Sequence, residues 1–476
     1  MRQLTLLILV LSLSLVSCDI TSLNENEKAP TNVPADPLFS SAQVTYGNFV
    51  HQTNVNIGIF KLMAQYWTTT TYTDEPRYNL RGRGISANIW NLYYRDVLID
   101  LQEAANKINA NDALPAAEKQ NKLASIEVMQ TITYVDLVNV FGNVPYNEAL
   151  NFENPQPAYD DAETIYMSQL DSLNTAISNF DPSAAGFGSA DVYFGGDISM
   201  WVKFANSLKM RIGIMLADVN ASAAETAITS AQPNAFGEGE AAMMPFTSAP
   251  PHANPNWEAL VQSGRSDYLP SAPVVDRMNN LDDPRRPVFF TQLAGEYVGA
   301  PYGASNNFND FSHFSEEIER PNRAGTILDY AEVEFILAEA KARGYAVNGA
   351  AAQHYNNGIT ADMKSWNISD AEIAAYLAQP EVAYATASGN YKEKIGTQKW
   401  QALFLQGLQG WTVHRRLGFP ALQPPKDDSG NEVLPKVITR FTYPISEETF
   451  NQENYNAAGD AIGGDTRTTE LFWDMD

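Results

Sequence analysis

Residues 197–215 read DISMWVKFANSLKMRIGIM. Trp201, Phe204, Leu208, Ile212 and Met215 follow one another at steps of 3, 4, 4 and 3, which places them on one face of an α-helix. Asp197 is positioned to cap its first free N–H groups. The same reading extends in both directions. Asp160 with Glu163 makes a capping-box-like start to a segment carrying Ile165, Leu170, Leu173, Ile177 and Phe180. Apolar periodicity predicts further helices over 119–141, over 330–343 through Tyr330, Val333, Leu337 and Ala340, and over 399–417 through Trp400, Leu403, Phe404, Leu408 and Trp411. Residues 40–66 and 86–109 fit helices less regularly. Period-two alternation is rare, and its best example is Val437, Thr439, Phe441 and Tyr443, a short strand at most. The chain is therefore mainly α.

Between the helices lie long stretches rich in Gly, Pro, Asn and aromatic residues, at 67–85, 181–196, 233–325 and 423–436. Loops of this length are usually functional or carry small elements of their own. No repeat of fixed period is legible, although paired helices can stack in a solenoid without a readable consensus. The 476 residues are 44% hydrophobic, and 31 Lys plus Arg against 56 Asp plus Glu leave a net charge of −25. Such a chain buries a large core, and its charge repels phosphate backbones and anionic lipid surfaces, so nucleic-acid binding is not expected. A single cysteine excludes an intramolecular disulfide and a thiolate zinc site.

That cysteine has a telling place. Arg2 is followed by the apolar run 4–16, which ends at Leu15-Val16-Ser17-Cys18. The run is too short to span a bilayer and has the length of a secretory h-region. Ser17 before Cys18 resembles a bacterial lipobox, which would make residues 1–17 a lipoprotein signal peptide and Cys18 the lipidated N-terminus. The alternative is an ordinary secretory signal that ends near a cysteine. Acyl chains on Cys18 would hold the protein on a membrane without a transmembrane helix. Residues 18–36 are polar and proline-bearing, with Glu25 and Glu27 close behind the cysteine, and read as a flexible tether. Residues 37–476 then read as a single domain.

Catalytic signatures are scarce. His51, His252, His313, His354 and His414 are scattered, and no two stand at the i, i+4 spacing of a helical zinc site. No G-x-S-x-G elbow or phosphate-binding loop occurs, and Gly82 and Gly84 lack the rest of a dinucleotide fingerprint. No cofactor is expected. A glycosidase carboxylate pair is permitted by 56 acidic residues, but its spacing is not a property of the sequence. Asn306-Asn307-Phe308-Asn309-Asp310 offers hard oxygens without the spacing of a calcium loop, and reads better as a turn, so no metal is expected.

The aromatic residues say more. Tyr66, Trp67, Tyr72, Tyr78, Trp90, Tyr93 and Tyr94 are interleaved with Asp74, Glu75, Arg77 and Arg81. Trp90, Tyr93 and Tyr94 have helical spacing and belong to a core. Trp67, Tyr72 and Tyr78 fall in a predicted loop, where flat rings beside charged hydrogen-bonding groups suit a sugar or a peptide side chain. The competing reading is that they lid the core. Trp257, Tyr268, Tyr297, Tyr302, Phe308, Phe311 and Phe314 pose the same choice.

Several stretches resemble the SusD/RagB family of Bacteroidetes outer-membrane lipoproteins. They are the cysteine at 18, Gln65-Tyr66-Trp67 with 70–75, Asp136 to Leu150 through Phe141-Gly142-Asn143-Val144-Pro145-Tyr146, Asp283-Pro284-Arg285, Tyr330 to Ala340, and Gln401 to Gly407 running to 415–420. The resemblance implies a mainly helical SusD-like fold, with paired tetratricopeptide-like helices, long irregular loops and a few short strands. It also implies a role without catalysis. The protein would sit at the outer face of the outer membrane, bind an oligosaccharide or oligopeptide, and deliver it to a SusC/RagA-type TonB-dependent transporter. A secreted helical glycoside hydrolase is the alternative, and an adhesion or structural surface protein a third class. By region, the resemblance points to Trp67, Tyr72, Asp74, Arg77 and Tyr78 facing Trp257, Tyr268, Tyr297 or Tyr302, whereas Glu334 and Glu339 are expected in salt bridges or caps.

Overall fold

Asp197 caps its helix as its position requires, its carboxylate accepting from Ser199 N at 2.9 Å and Met200 N at 3.3 Å. In this computed structural model residues 33–475 are described. The expected signal peptide, Cys18 and the tether as far as residue 32 lie outside the described residues.

In chain order the helices are α1 (Ala35–Val50), α2 (Ile99–Ala110), α3 (Ala116–Phe141), α4 (Ala162–Asn179), α5 (Ile198–Met215) and α6 (Ala221–Ala231), followed by α7 (Tyr330–Ala342), α8 (Ala351–Ser365), α9 (Tyr391–Ala402) and α10 (Gly407–Leu417). Each of the first six packs on the next. So do α7 with α8 and α9 with α10, and α7 joins the two series by touching both α5 and α9. These pairs are the tetratricopeptide-like scaffold. Two small antiparallel sheets complete it, β1 (Trp67–Thr69) with β3 (Tyr268–Pro270) and β2 (Ala241–Met244) with β4 (Gly325–Asp329). The long irregular stretches thus do carry small elements. A π-helical turn over Leu92–Leu98 links Ile85–Asn91 to α2 without a break, so the expected helix over 86–109 is continuous.

The scaffold is held by buried charge as well as apolar packing. Arg211 of α5 binds Glu332 of α7, and Arg416 of α10 binds Glu339 of α7, each at 2.5 Å with both side chains buried. Arg343 also reaches Glu339, at 2.9 Å. Arg285 lies between Asp283 and Asp362, 2.5 Å from each. Glu334 accepts from His354 Nδ1 at 2.7 Å and Asn357 Nδ2 at 3.1 Å. The acidic residues of 330–340 and the Asp-Pro-Arg turn are therefore scaffold.

Four sequence expectations need correction. The helix at 162 is capped by Asp161, which accepts from Thr164 N at 2.9 Å. Asp160 is engaged elsewhere, bridging back to Val144. The helix over 40–66 stops at Val50 and resumes only at Phe60–Met63. The cause is Lys61, whose buried ammonium takes the carbonyls of His51 at 2.8 Å and Gln52 at 3.2 Å. A continuous helix would have spent those acceptors on its own ladder. The helix over 399–417 breaks between Ala402 and Gly407, because this turn lies against the backbone of 60–61: a Cβ on Gly407 would fall 2.4 Å from Lys61 N. Finally, residues 437–443 form no strand. Phe441 N donates to Val140 O and Arg440 to Phe141 O, so the segment caps the C-terminus of α3 instead of joining a sheet.

Candidate ligand-binding cleft

The first aromatic loop and the second are joined by backbone. Trp67, Thr68 and Thr69 pair with Pro270, Leu269 and Tyr268, and the ribbon continues as Thr70 N donates to Asp267 O at 2.9 Å. Asn306 locks a third segment on, its buried Nδ2 donating to the carbonyls of Thr69, Pro301 and Ala304 at 3.0, 3.1 and 3.0 Å. The Asn306–Asp310 stretch is thereby accounted for as a structural turn. Among the described residues no three His, Cys, Asp or Glu side chains are grouped to hold a metal.

Beside this ribbon opens a cleft of about 360 Å³, lined by residues 52–56, Tyr72, Arg83, Glu258, Arg265, Asp267 and Tyr268 among others. Tyr72 carries the centre. The guanidinium of Arg83 lies 5.0 Å from its ring centroid and that of Arg265 5.2 Å, and Arg265 also donates to its hydroxyl. Asp267 anchors Arg265 at 2.6 Å. Glu75 lies 2.5 Å from Arg83 Nε, but neither of its oxygens is aligned for a hydrogen bond. Burial pushes the Glu75 carboxyl above its ordinary range, with Arg83 opposing, and burial raises Glu258 too. Behind the 52–56 wall the Lys61 ammonium donates to Thr53 Oγ1 at 3.0 Å, and burial lowers it to about 7. The cleft thus combines a tyrosine ring, two anchored guanidiniums and the half-buried carboxylates of Glu258 and Asp267, with the buried Glu75 behind Arg83. Such a set hydrogen-bonds polyhydroxyl or amide groups from several directions.

Of the residues singled out in the sequence, Tyr72 and Tyr268 line this cleft. Trp67 and Tyr78 are core side chains, 0% exposed. Trp67 packs between Tyr268 and Phe314, with centroids at 5.7 and 4.2 Å. Tyr302 donates to Leu62 O at 2.7 Å, and Arg77 is occupied by Gly303 O and Asp428. Asp74 is exposed and accepts from Asn79 at 3.1 Å. Tyr297 lies under Arg286, 5.5 Å away, and Trp257 ends the short helix that leads into Glu258. Sequence reasoning missed Arg83, Glu258, Arg265 and Asp267. The Arg265-Ser266-Asp267 triplet directly before Tyr268 was the available signal, and it acquires meaning only once β3 is paired with β1.

The family described as starch-binding and associating with the outer membrane, SusD-like, matches residues 27–444. The chain belongs to the SusD-like family. Solved structures agree in fold. A SusD-like protein from Bacteroidetes AC2a is 20% identical, with 93% of this chain and all of that one covered at a TM-score of 0.81. A chitin-binding protein is 24% identical over 93% of this chain and 100% of its own, at 0.80. A chitin-binding SusD homologue from Flavobacterium johnsoniae is 24% identical over 92% and 98%, at 0.76. No curated protein matches the sequence. In this SusD-like chain the helical pairs form the frame, and the Tyr72 cleft lies where two loop regions meet.

Proposed function

We propose that this SusD-like protein captures a glycan in the Tyr72 cleft and delivers it to a SusC/RagA-type TonB-dependent transporter, while lipid on Cys18 holds it at the outer membrane. The observation that carries the reading is the family match over residues 27–444 to proteins described as starch-binding and associating with the outer membrane. Similar proteins described as chitin-binding favour a sugar over a peptide. The chemistry of the cleft is compatible: anchored guanidiniums and carboxylates pair with sugar hydroxyls. Among the described residues no helix is long and apolar enough to cross a membrane, so attachment through Cys18 would supply what the fold does not.

The role is binding without turnover. Calorimetric titration with maltoheptaose and chitohexaose, with the sugars analysed afterwards, tests it. Binding that returns the sugar intact supports capture. Shortened products that vanish in Glu258→Gln or Asp267→Asn would move the protein to the glycoside hydrolases. For delivery, gentle detergent extraction from the native host is expected to bring down a large β-barrel partner, and recovery only as a free monomer would count against the transporter step.

A further inference from the structure

The turn at 141–150 takes no part in the Tyr72 cleft, yet it is pinned on every side. Asp160 accepts from Tyr146 N at 2.9 Å, Asn147 N at 2.8 Å and Asn147 Nδ2 at 2.6 Å. Tyr94 donates to Pro145 O at 2.6 Å and Tyr443 to Asn143 O at 2.8 Å. Leu150, which closes the turn, is held at φ 61, a conformation that a branched side chain adopts only under constraint. What this clamp presents is Tyr146. Its half-buried ring packs edge-on against Tyr134 with centroids 4.8 Å apart, and it forms a wall shared with Glu127 between two clefts of about 340 and 410 Å³ on α3 and α4.

In the smaller cleft the carboxamides of Gln102, Gln130, Asn147 and Gln169 surround the ring. Gln169, 1% exposed, hydrogen-bonds the Tyr146 hydroxyl and supports the ring, while Gln102 Oε1 is buried without a hydrogen-bond partner. The charged groups lining the two clefts are Glu127 and Asp171, with no Lys or Arg, which disfavours an anion. Aliphatic lining of the smaller cleft is limited to Ala149 and Leu150, too little for the side-chain pockets that a bound peptide needs. Hydroxyl groups fit all of this, since they donate to a carboxylate and to amide oxygens while accepting from amide nitrogens.

We infer that the Tyr146 cleft is a second binding site, for uncharged sugar units, on the helical scaffold and with no lining residue in common with the Tyr72 cleft. Glu127 accepts a pair of hydroxyls, the half-buried Gln130 carboxamide donates to a sugar oxygen, and the Tyr146 ring covers an apolar sugar face. Two sites on one protein hold a long chain by linked contacts, each end raising the effective concentration of the other.

The test titrates maltoheptaose, chitohexaose and an uncharged Gly-Ser decapeptide into four proteins: the parent, Tyr72→Ala/Arg265→Ala, and that double variant with Glu127→Gln or with Tyr146→Ala added. Hydrogen exchange over 141–150 is followed in the parent. The double variant is expected to keep binding one of the sugars, Glu127→Gln or Tyr146→Ala to weaken that remainder at least about fivefold, and the sugar to slow exchange in the turn. Glu127→Gln keeps the shape of a half-exposed side chain, so a folding defect in Tyr146→Ala leaves the test intact. Residual binding untouched by Glu127→Gln, slowing by the decapeptide alone, or complete loss of sugar binding in the double variant overturns the second site and leaves the Tyr72 cleft standing. Parent-like affinity in the double variant that Glu127→Gln abolishes removes the Tyr72 cleft instead, and a parent that binds neither sugar removes both.

Discussion

Tyr72 and Trp67 stand five positions apart, and opposite outcomes are expected when each is cut to Ala. Tyr72 is half-buried between two arginines, so Tyr72→Ala should weaken glycan binding roughly five- to thirty-fold, about 1–2 kcal/mol, with little change in melting temperature. Trp67 is wholly enclosed, and Trp67→Ala should cost about 3–5 kcal/mol of stability. Calorimetric affinity together with thermal melts separates the two, and a stable Trp67→Ala with lost affinity would reverse the assignment. Asp136 gives a prediction in pH. Tyr46 and Tyr93 donate to its Oδ2 at 2.8 and 3.3 Å, yet burial raises its carboxyl to about 6. The folded state therefore binds the proton more tightly than the unfolded chain, so this group's contribution is full below about pH 4 and is lost as pH rises toward 6. Urea titrations should show the parent losing stability relative to Asp136→Asn across that window, by about 3 kcal/mol at most. A constant difference would refute it. The sequence could tell which rings lay in loops but not which were covered, because Trp67 and Tyr72 have the same local context and differ only in what a strand from residue 268 lays over them.

The helical elements were legible wherever one face was apolar and the other wet, as in α4, and where a cap stood at the right place, as at Asp197. They were misread where a tertiary demand overrode periodicity. Lys61 needed carbonyls and opened the end of α1, and the chain at 403–406 turned so that Gly407 could meet residues 60–61. The helix-to-helix charge pairs are the element-scale prediction. Removing one partner of a buried pair strands the other. Glu339→Gln leaves Arg416, a 3% exposed cation, and should cost about 3–5 kcal/mol. Glu470→Gln at the exposed Lys436 pair should cost about 0–1 kcal/mol. Equal losses in denaturant midpoint would show that the buried pair is no mainstay of the α7–α10 packing.

For the whole molecule, the proposed lipid anchor gives the prediction. Cys18 holds the only sulfhydryl in the chain, so Cys18→Ala is expected to leave the protein soluble or uncleaved while its folded domain keeps its ligand affinity. The mass of the mature N-terminal peptide reads this directly, and an unmodified parent peptide beginning downstream of residue 18 would end the lipoprotein reading. The class of the fold was legible from end to end because its motifs are scaffold, and scaffold residues carry the pattern of packing. The cleft was legible only as two regions, since its walls are made of residues whose partners lie far along the chain.

The pairing of Thr69 with Tyr268 spans 268 − 69 = 199 residues. Closing a segment of that length costs about 5 kcal/mol of chain entropy before any contact repays it. The residues of the wall at 52–83 are therefore synthesised long before their counterpart at 258–268 exists. A chain truncated before residue 258 has the first wall of the Tyr72 cleft and nothing opposite it. The Tyr72 cleft is therefore completed only once its second strand is in place.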